Sequence, residues 1–121
     1  MLTHYIFVRR DLPVGILAAM VTHAAGESSS LYTNHGRQGR FRGATAVVLE
    51  AENEQDLKIL LKFLKLNKVK HVPIIESEGP YAEQLMAVGI MPIQRKLGNK
   101  LFAGSKTLKS CLTNETIPTN P

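Results

Sequence analysis

Arg9-Arg10-Asp11 and His23 are the residues whose types and spacing could do chemistry in this chain. Two guanidinium groups beside a carboxylate can hold a phosphate, and an imidazole further on can accept a proton or donate to a substrate carbonyl near neutral pH. The charged triplet closes an apolar run, Tyr5-Ile6-Phe7-Val8, and a turn at Pro13 leads into a segment rich in small residues that carries His23. That order places titratable groups at the carboxyl end of a strand and along the helix that follows. Open α/β sheets bind ligands at that end, where a helix N-terminus also favours anions. Plainer roles fit the same residues. Asp11 could cap the helix and pair with an arginine, and His23, among Thr22, Ala24 and Ala25, could be a packed, hydrogen-bonded side chain.

Other groups add to the inventory. Arg37, Arg40 and Arg42 surround Phe41 and two glycines, a composition suited to phosphate contact and base stacking, or to a solvated loop. Lys58, Lys62, Lys65, Lys68 and Lys70 read as the wet face of a helix and its exit, and could share one basic surface with the arginines. No serine or cysteine stands near enough to His23 in sequence for a triad, though a fold could deliver Ser28, Ser29 or Ser30. His4, His23, His35 and His71 lack metal-ligand spacing, and no glycine-rich phosphate loop of the usual kinds is present, so no metal or cofactor is expected.

The elements that must position these groups follow from periodicity and caps. Residues 3–9 read as a strand buried on both faces. Asp11 and Pro13 are helix-start chemistry for residues 13–29, with Leu17, Met20, Val21 and Ala24 on one face. Residues 28–43, rich in Ser, Asn and Gly, read as a loop or frayed segment. A second strand is expected at 44–50, and Asn53 with Asp56 announces a helix over 54–67 whose leucines and lysines take opposite faces. Residues 71–75 form a third strand. Residues 84–91 are ambiguous, with a strand favoured over a helix by their length and by Gly89. Pro92 opens a short helix to about residue 101. The prediction is an α/β fold: a single domain over 1–104, with a mixed sheet of about four strands flanked by helices on both faces, and a loose polar tail over 105–121.

Composition narrows the classes. With 121 residues and 44% apolar content the chain is globular and large enough for a core without staples. A lone cysteine, Cys111, excludes an internal disulfide framework and reads as an incidental thiol. No apolar run suits a membrane span, and Met1-Leu2-Thr3-His4 lacks the basic region and apolar core of a signal peptide, so a cytoplasmic protein without a membrane partner is expected. The net charge of +5 and a pI near 9.6 favour polyanionic partners.

Val8-Arg9-Arg10-Asp11-Leu12 and Thr22-His23-Ala24-Ala25 resemble the opening of the archaeal and eukaryotic class of peptidyl-tRNA hydrolases, where a strand ends in Arg and Asp and the next helix carries Ser/Thr-His-Ala-Ala. Later segments fit in order: residues 46–50, the second helix, 71–75 and 87–92. The resemblance implies a four-stranded mixed sheet flanked by helices. Departures are specific. The family's lysines after Asp-Leu are missing from the shortened turn at 13–17, and Met20 sits near its glutamine. Its aspartate loop with downstream threonines is replaced by residues 76–81, where Glu76 or Glu78 stands in for the carboxylate and the threonines have no counterpart. The implied activity is hydrolysis of the ester of peptidyl-tRNA or aminoacyl-tRNA, with His23, Asp11 and Glu76 positioning water or carbonyl and Arg9, Arg10, Arg37, Arg40 and Arg42 holding phosphates. The alternatives are a non-catalytic member that binds tRNA or a protein, and an enzyme acting on a small substrate in the same pocket. The implied partner is tRNA, with a homodimer left open.

Overall fold

The computed structural model describes residues 2–33 and 45–108. Strand β1 (Leu2–Arg9) lies in the middle of a mixed sheet: every residue from Thr3 to Arg9 is buried, with the apolar run Tyr5-Ile6-Phe7-Val8 at its centre. It pairs in parallel with β2 (Thr45–Ala51) and antiparallel with β4 (Leu85–Ile90), and β4 pairs antiparallel with the edge strand β3 (His71–Ile75). The order β2-β1-β4-β3 is completed by β5 (Ile93–Gln94), which adds antiparallel to the start of β1. β1, β2 and β3 therefore end on one side of the molecule, the carboxyl end of the sheet, and the turn into β4 returns there. Pro73 is tolerated because β3 has an open side, where a missing N–H costs no ladder bond.

Helix α1 (Val14–Thr33) covers one face. Leu17, Met20 and Ala24 point inward at helical spacing onto Ile6, Val8, Met86 and Ala87. Contact is closest at Gly89, where a Cβ would collide with the Ala24 carbonyl oxygen and the Ser28 hydroxyl. The helix runs past the expected end at residue 29. Ser28, Ser29 and Ser30 donate their hydroxyls to Ala24, Gly26 and Glu27 carbonyls, so residues that often open a loop are satisfied inside the helix. The remainder of the loop expected over 28–43 lies outside the described residues from 34 onward.

The opposite face is covered by α2 (Glu54–Leu66) and α3 (Arg95–Leu101). α2 begins where its sequence says. The Asp56 N–H donates to Asn53 Oδ1 at 3.0 Å, and the Glu52 N–H donates to the Asp56 carboxylate at 3.1 Å. Leu57 and Leu64 are fully buried against Phe7, Val88 and Ile90, each contributing about 2–3 kcal/mol of apolar burial. Phe102 closes this layer, edge-on to Tyr5 and Phe7 with ring centroids 5.1 and 5.2 Å away. α3 starts later than expected from Pro92, because residues 93 and 94 are spent pairing with β1.

The ambiguity over 84–91 has a structural cause. Ile75 pairs with Leu85 and Ile74 with Ala87, so Met86 is an extra residue in β4. That bulge turns Met86 and Ala87 to the same face, breaking the alternation by which a strand is read. Past the boundary expected at 104, the Glu50 N–H donates to Lys106 C=O and the Leu108 N–H to Val48 C=O, extending the sheet along the free edge of β2.

Candidate active site

Two neighbouring features gather the residues singled out above. At the carboxyl end of β1, Arg9 is enclosed, with 7% of its surface exposed. Its Nε and Nη2 donate to the two oxygens of Asp11 at 2.9 and 3.0 Å, and Nη1 donates to Gln84 Oε1 at 2.8 Å and toward Leu85 C=O at 3.4 Å. The guanidinium carbon also stands 5.9 Å from the Tyr81 ring centroid. Hydrogen bonding to Asp11 raises the already high pKa of Arg9. The side chain thus works inward, locking the turn after β1 to the segment before β4, and is not offered to an external phosphate. Asp11 meets Arg9 with both oxygens, and the first turn of α1 begins instead with the Leu17 N–H bonding Pro13 C=O.

Arg10 faces the other way, as alternation along a strand requires. Its Nη1 reaches Glu50 at 3.2 Å and Glu52 at 3.8 Å. Residues 76–84 fold into a compact loop around a single 3₁₀ turn (Gly79–Tyr81). The Glu76 N–H donates to Gln84 C=O and the Glu83 N–H to Glu76 C=O, so Glu76 lies against the same Gln84 that Arg9 holds. Glu54, at the start of α2, accepts the Leu85 N–H at 3.0 Å, which holds its carboxyl below the usual range.

The second feature is an open groove of about 510 Å³ between α1 and the edge strand β3, lined by Thr22, His23, Gly26 and Glu27 from the helix and by residues 72–75. His23 is exposed, and among the described residues its ring has no hydrogen-bond partner. Glu27 follows one turn along the same wall. Val14 to His23 spans about 14 Å of helix axis, too far for His23 to touch Asp11 at the other end. Glu76 directly follows Ile75, which lines the groove, and so stands where the groove meets the Arg9 cluster. The structure joins Arg9 with Asp11, places Glu76 at the seam, sets His23 in the groove and turns Arg10 to β2.

Arg37, Arg40 and Arg42 lie outside the described residues. The connection that carries them starts at Thr33 and ends at Thr45, at the amino end of the sheet, opposite Asp11. Charge divides along the same axis. Asp11, Glu50, Glu52, Glu54, Asp56, Glu76, Glu78 and Glu83 outnumber Arg9, Arg10 and Lys58 at the carboxyl end, while Lys65, Lys68, Lys70, Arg95 and Lys96 stand at the amino end. Among the described residues no cluster of His, Cys, Asp and Glu could hold a metal ion, and no helix is long and apolar enough to cross a membrane.

The fold does bring a serine to a histidine, but a different one. His4 Nε2 lies 2.6 Å from Ser28 Oγ, and that hydroxyl donates to Ala24 C=O at 2.6 Å, so the imidazole must be the donor to the serine. Both residues are buried, Ser28 completely, and the pair bolts α1 to β1 instead of presenting a nucleophile. Nothing in the local sequence pairs residues 4 and 28; the packing through Gly89 does. Burial lowers the His4 pKa from its ordinary 6.5. The unfolded chain therefore binds a proton that the folded chain refuses, and stability is lost as pH drops below 6.5. Urea titrations from pH 7.5 to 5.5 should show unfolding free energy falling by up to about 1.4 kcal/mol per pH unit below that value, and His4→Gln should flatten the slope. An unchanged slope in the variant would place the proton uptake elsewhere.

The fold is a single α/β domain with an open mixed sheet and a groove beside its edge strand. The chain belongs to the family Peptidyl-tRNA hydrolase PTH2, whose model matches residues 2–108. Among solved structures it resembles Atu0240, described as a protein of unknown function from Agrobacterium tumefaciens strain C58. The TM-score is 0.64 at 13% identity, covering 89% of this chain and 98% of that one, a likeness of fold. No curated protein matches it.

Proposed function

We propose that this chain hydrolyses the ester joining a peptidyl or aminoacyl group to the 3′ end of tRNA, with the reacting carbonyl in the groove between α1 and β3. The observation that carries the reading is His23: an exposed imidazole without a partner among the described residues, facing open space, with Glu27 on the same wall and Glu76 at the groove's end. His23 takes a proton from a water held against Glu76 or Glu27. The water oxygen attacks the acyl carbon, the tetrahedral intermediate collapses, and the C–O bond to the ribose breaks. The imidazolium then returns its proton to the ribose oxygen. Esters of this kind are intrinsically labile, so orientation of water and carbonyl accounts for most of what the site must supply. Asp11 acts at one remove, by holding Arg9 and through it Gln84 and the loop that ends the groove. Membership of the peptidyl-tRNA hydrolase family supports the substrate class.

The test is turnover. Purified protein at a hundredth of the substrate concentration should release free tRNA from peptidyl-tRNA at least about 10²-fold faster than buffer, the scale of one positioned acid–base group. A rate equal to buffer ends the hydrolase reading. The absence of lysines in the turn after Leu12 and the acidity of the carboxyl end favour, as a second reading, a non-catalytic tRNA-binding member. Retention of tRNA in a gel-shift without turnover would select it.

A further inference from the structure

β3 is the outermost strand on its side of the sheet, and its far edge pairs with nothing among the described residues. The ladder on its near side fixes which backbone groups that edge presents. The Met91 N–H donates to Lys70 C=O, so these two residues form a bonded pair, and the next pair, His71 with Ile90, is an unbonded one. Alternation then turns the N–H and C=O of Val72 and Ile74 toward β4, and those of His71, Pro73 and Ile75 outward. The bulge at Met86 lies in β4 and leaves this alternation intact. Pro73 brings a carbonyl but no N–H, so acceptors outnumber donors along the edge.

Of the usual guards against strand addition, β3 has its short length and Pro73 but no lysine or other charge, and Ile75 is 56% exposed. The same strand is one wall of the His23 groove, with Val72 to Ile75 across from Thr22, His23, Gly26 and Glu27. Among the described residues no lysine or arginine lines that groove, and its charge comes from Glu27, with Glu76 at its end. A nucleic-acid backbone is therefore a poor occupant of this edge, and a neutral extended chain a good one. A second copy pairing symmetrically about Pro73 would set two residues without donors opposite each other and leave the centre of that ladder unbonded.

We propose that the peptidyl part of the substrate lies along the free edge of β3 as an added strand, its main chain bonded to His71, Pro73 and Ile75 while its terminal carbonyl sits at His23. This rests on the reading of the groove as the site of ester cleavage, and it adds how the acyl side is recognised. The five residues of β3 span about 17 Å, room for the last four or five residues of a peptide. Bonding through the main chain is indifferent to side-chain identity, so the edge reads the presence and length of a peptide, not its sequence. An aminoacyl group has no amide to offer it, and peptidyl esters are the preferred substrates.

The test measures affinity for RNA acceptor ends that carry a 3′-peptidylamino group, an amide in place of the ester, so that binding is read without turnover. Kd for the full chain should fall about tenfold from an N-acetylaminoacyl to a tetrapeptidyl analogue and level off with longer peptides. N-methylation of successive amides should alternate in effect, weakening binding about fivefold where the N–H meets the edge and scarcely where it points away. Pro73→Ala adds an outward donor and should tighten the tetrapeptidyl analogue about threefold, with the N-acetylaminoacyl analogue unchanged. Ile75→Pro removes a donor that β4 does not use and should weaken the tetrapeptidyl analogue by a similar factor. The methylation series uses the unaltered protein, so it decides the matter even where a variant folds poorly. A Kd independent of peptide length, or equal losses at every methylated position, overturns the added strand. A dimer of the unaltered chain that Ile75→Pro dissociates gives the edge to a second copy and overturns it as well. Alternating, length-dependent binding without turnover of the ester defeats only the catalytic reading. Turnover with a KM indifferent to peptide length defeats only the added strand.

Discussion

Arg9→Met should lower the free energy of unfolding by about 3 kcal/mol, the largest loss expected from any single charged residue in this fold. Removing one partner of a buried charge pair typically costs about 3–5 kcal/mol because the other is left without compensation. Asp11 keeps 40% of its side chain exposed, so water can recover part of its solvation, which argues for the lower end of that range. Gln84 Oε1 and Leu85 C=O lose their donor in the same step, and Tyr81 loses the cation over its ring. Arg9→Lys keeps the charge but cannot form the two-pronged contact with Asp11, and should cost about 1–2 kcal/mol. Urea unfolding with an unchanged m-value would measure both. An Arg9→Met loss below 1 kcal/mol would mean that the loop over 76–84 holds its shape without this tie, and that Asp11 has no indirect role at the groove.

How much of this was legible depends on whether the cause is local. Asn53 and Asp56 cap α2 within a few residues of each other, so that helix start could be read from the chain. The buried run of β1 and the span of β3 are likewise local patterns. β5 is two residues long and exists only because Leu2 and Thr3 lie opposite it, which no window on the sequence contains. The extra turn of α1 over 30–33 was hidden by serines whose hydroxyls bond back within the helix. Ser28 makes the point sharply: its partner is His4, and its fit depends on Gly89 from a third element.

The candidate site was legible in its parts and not in their grouping. Alternation predicts that Arg9 and Arg10 diverge, and they do, but which of them is enclosed depends on Gln84, 75 residues away. The end of the sheet at which α1 finishes and β2 begins was also legible and easily overlooked. A right-handed β-α-β crossover carries the chain back to the amino end of the sheet before the next parallel strand begins. Thr33 and Thr45, the described residues on either side of that stretch, therefore lie opposite Asp11. Among the described residues, cations stand at the amino end of the sheet and carboxylates predominate at the other.

His23→Ala should reduce kcat/KM for peptidyl-tRNA by about 10²- to 10⁴-fold, the range ascribed to a single positioned acid–base group. The protein itself should be unharmed. His23 is exposed on α1 and makes no hydrogen bond among the described residues, and alanine favours helix over histidine by a few tenths of a kcal/mol. A large fall in rate with unchanged or slightly raised stability is a combination that a structural histidine could not produce; the corresponding change at buried His4 should lower stability first. Glu27→Gln, which preserves shape while removing the charge one turn away, should slow turnover by a smaller factor, about tenfold. The contrast with Glu76→Gln locates the water. If Glu76→Gln costs more than Glu27→Gln, the water is held at the end of the groove near the Arg9 cluster; the reverse order sets it against α1. Full activity in His23→Ala, together with loss in Glu76→Gln, would move the chemistry out of the groove to the carboxyl end of the sheet.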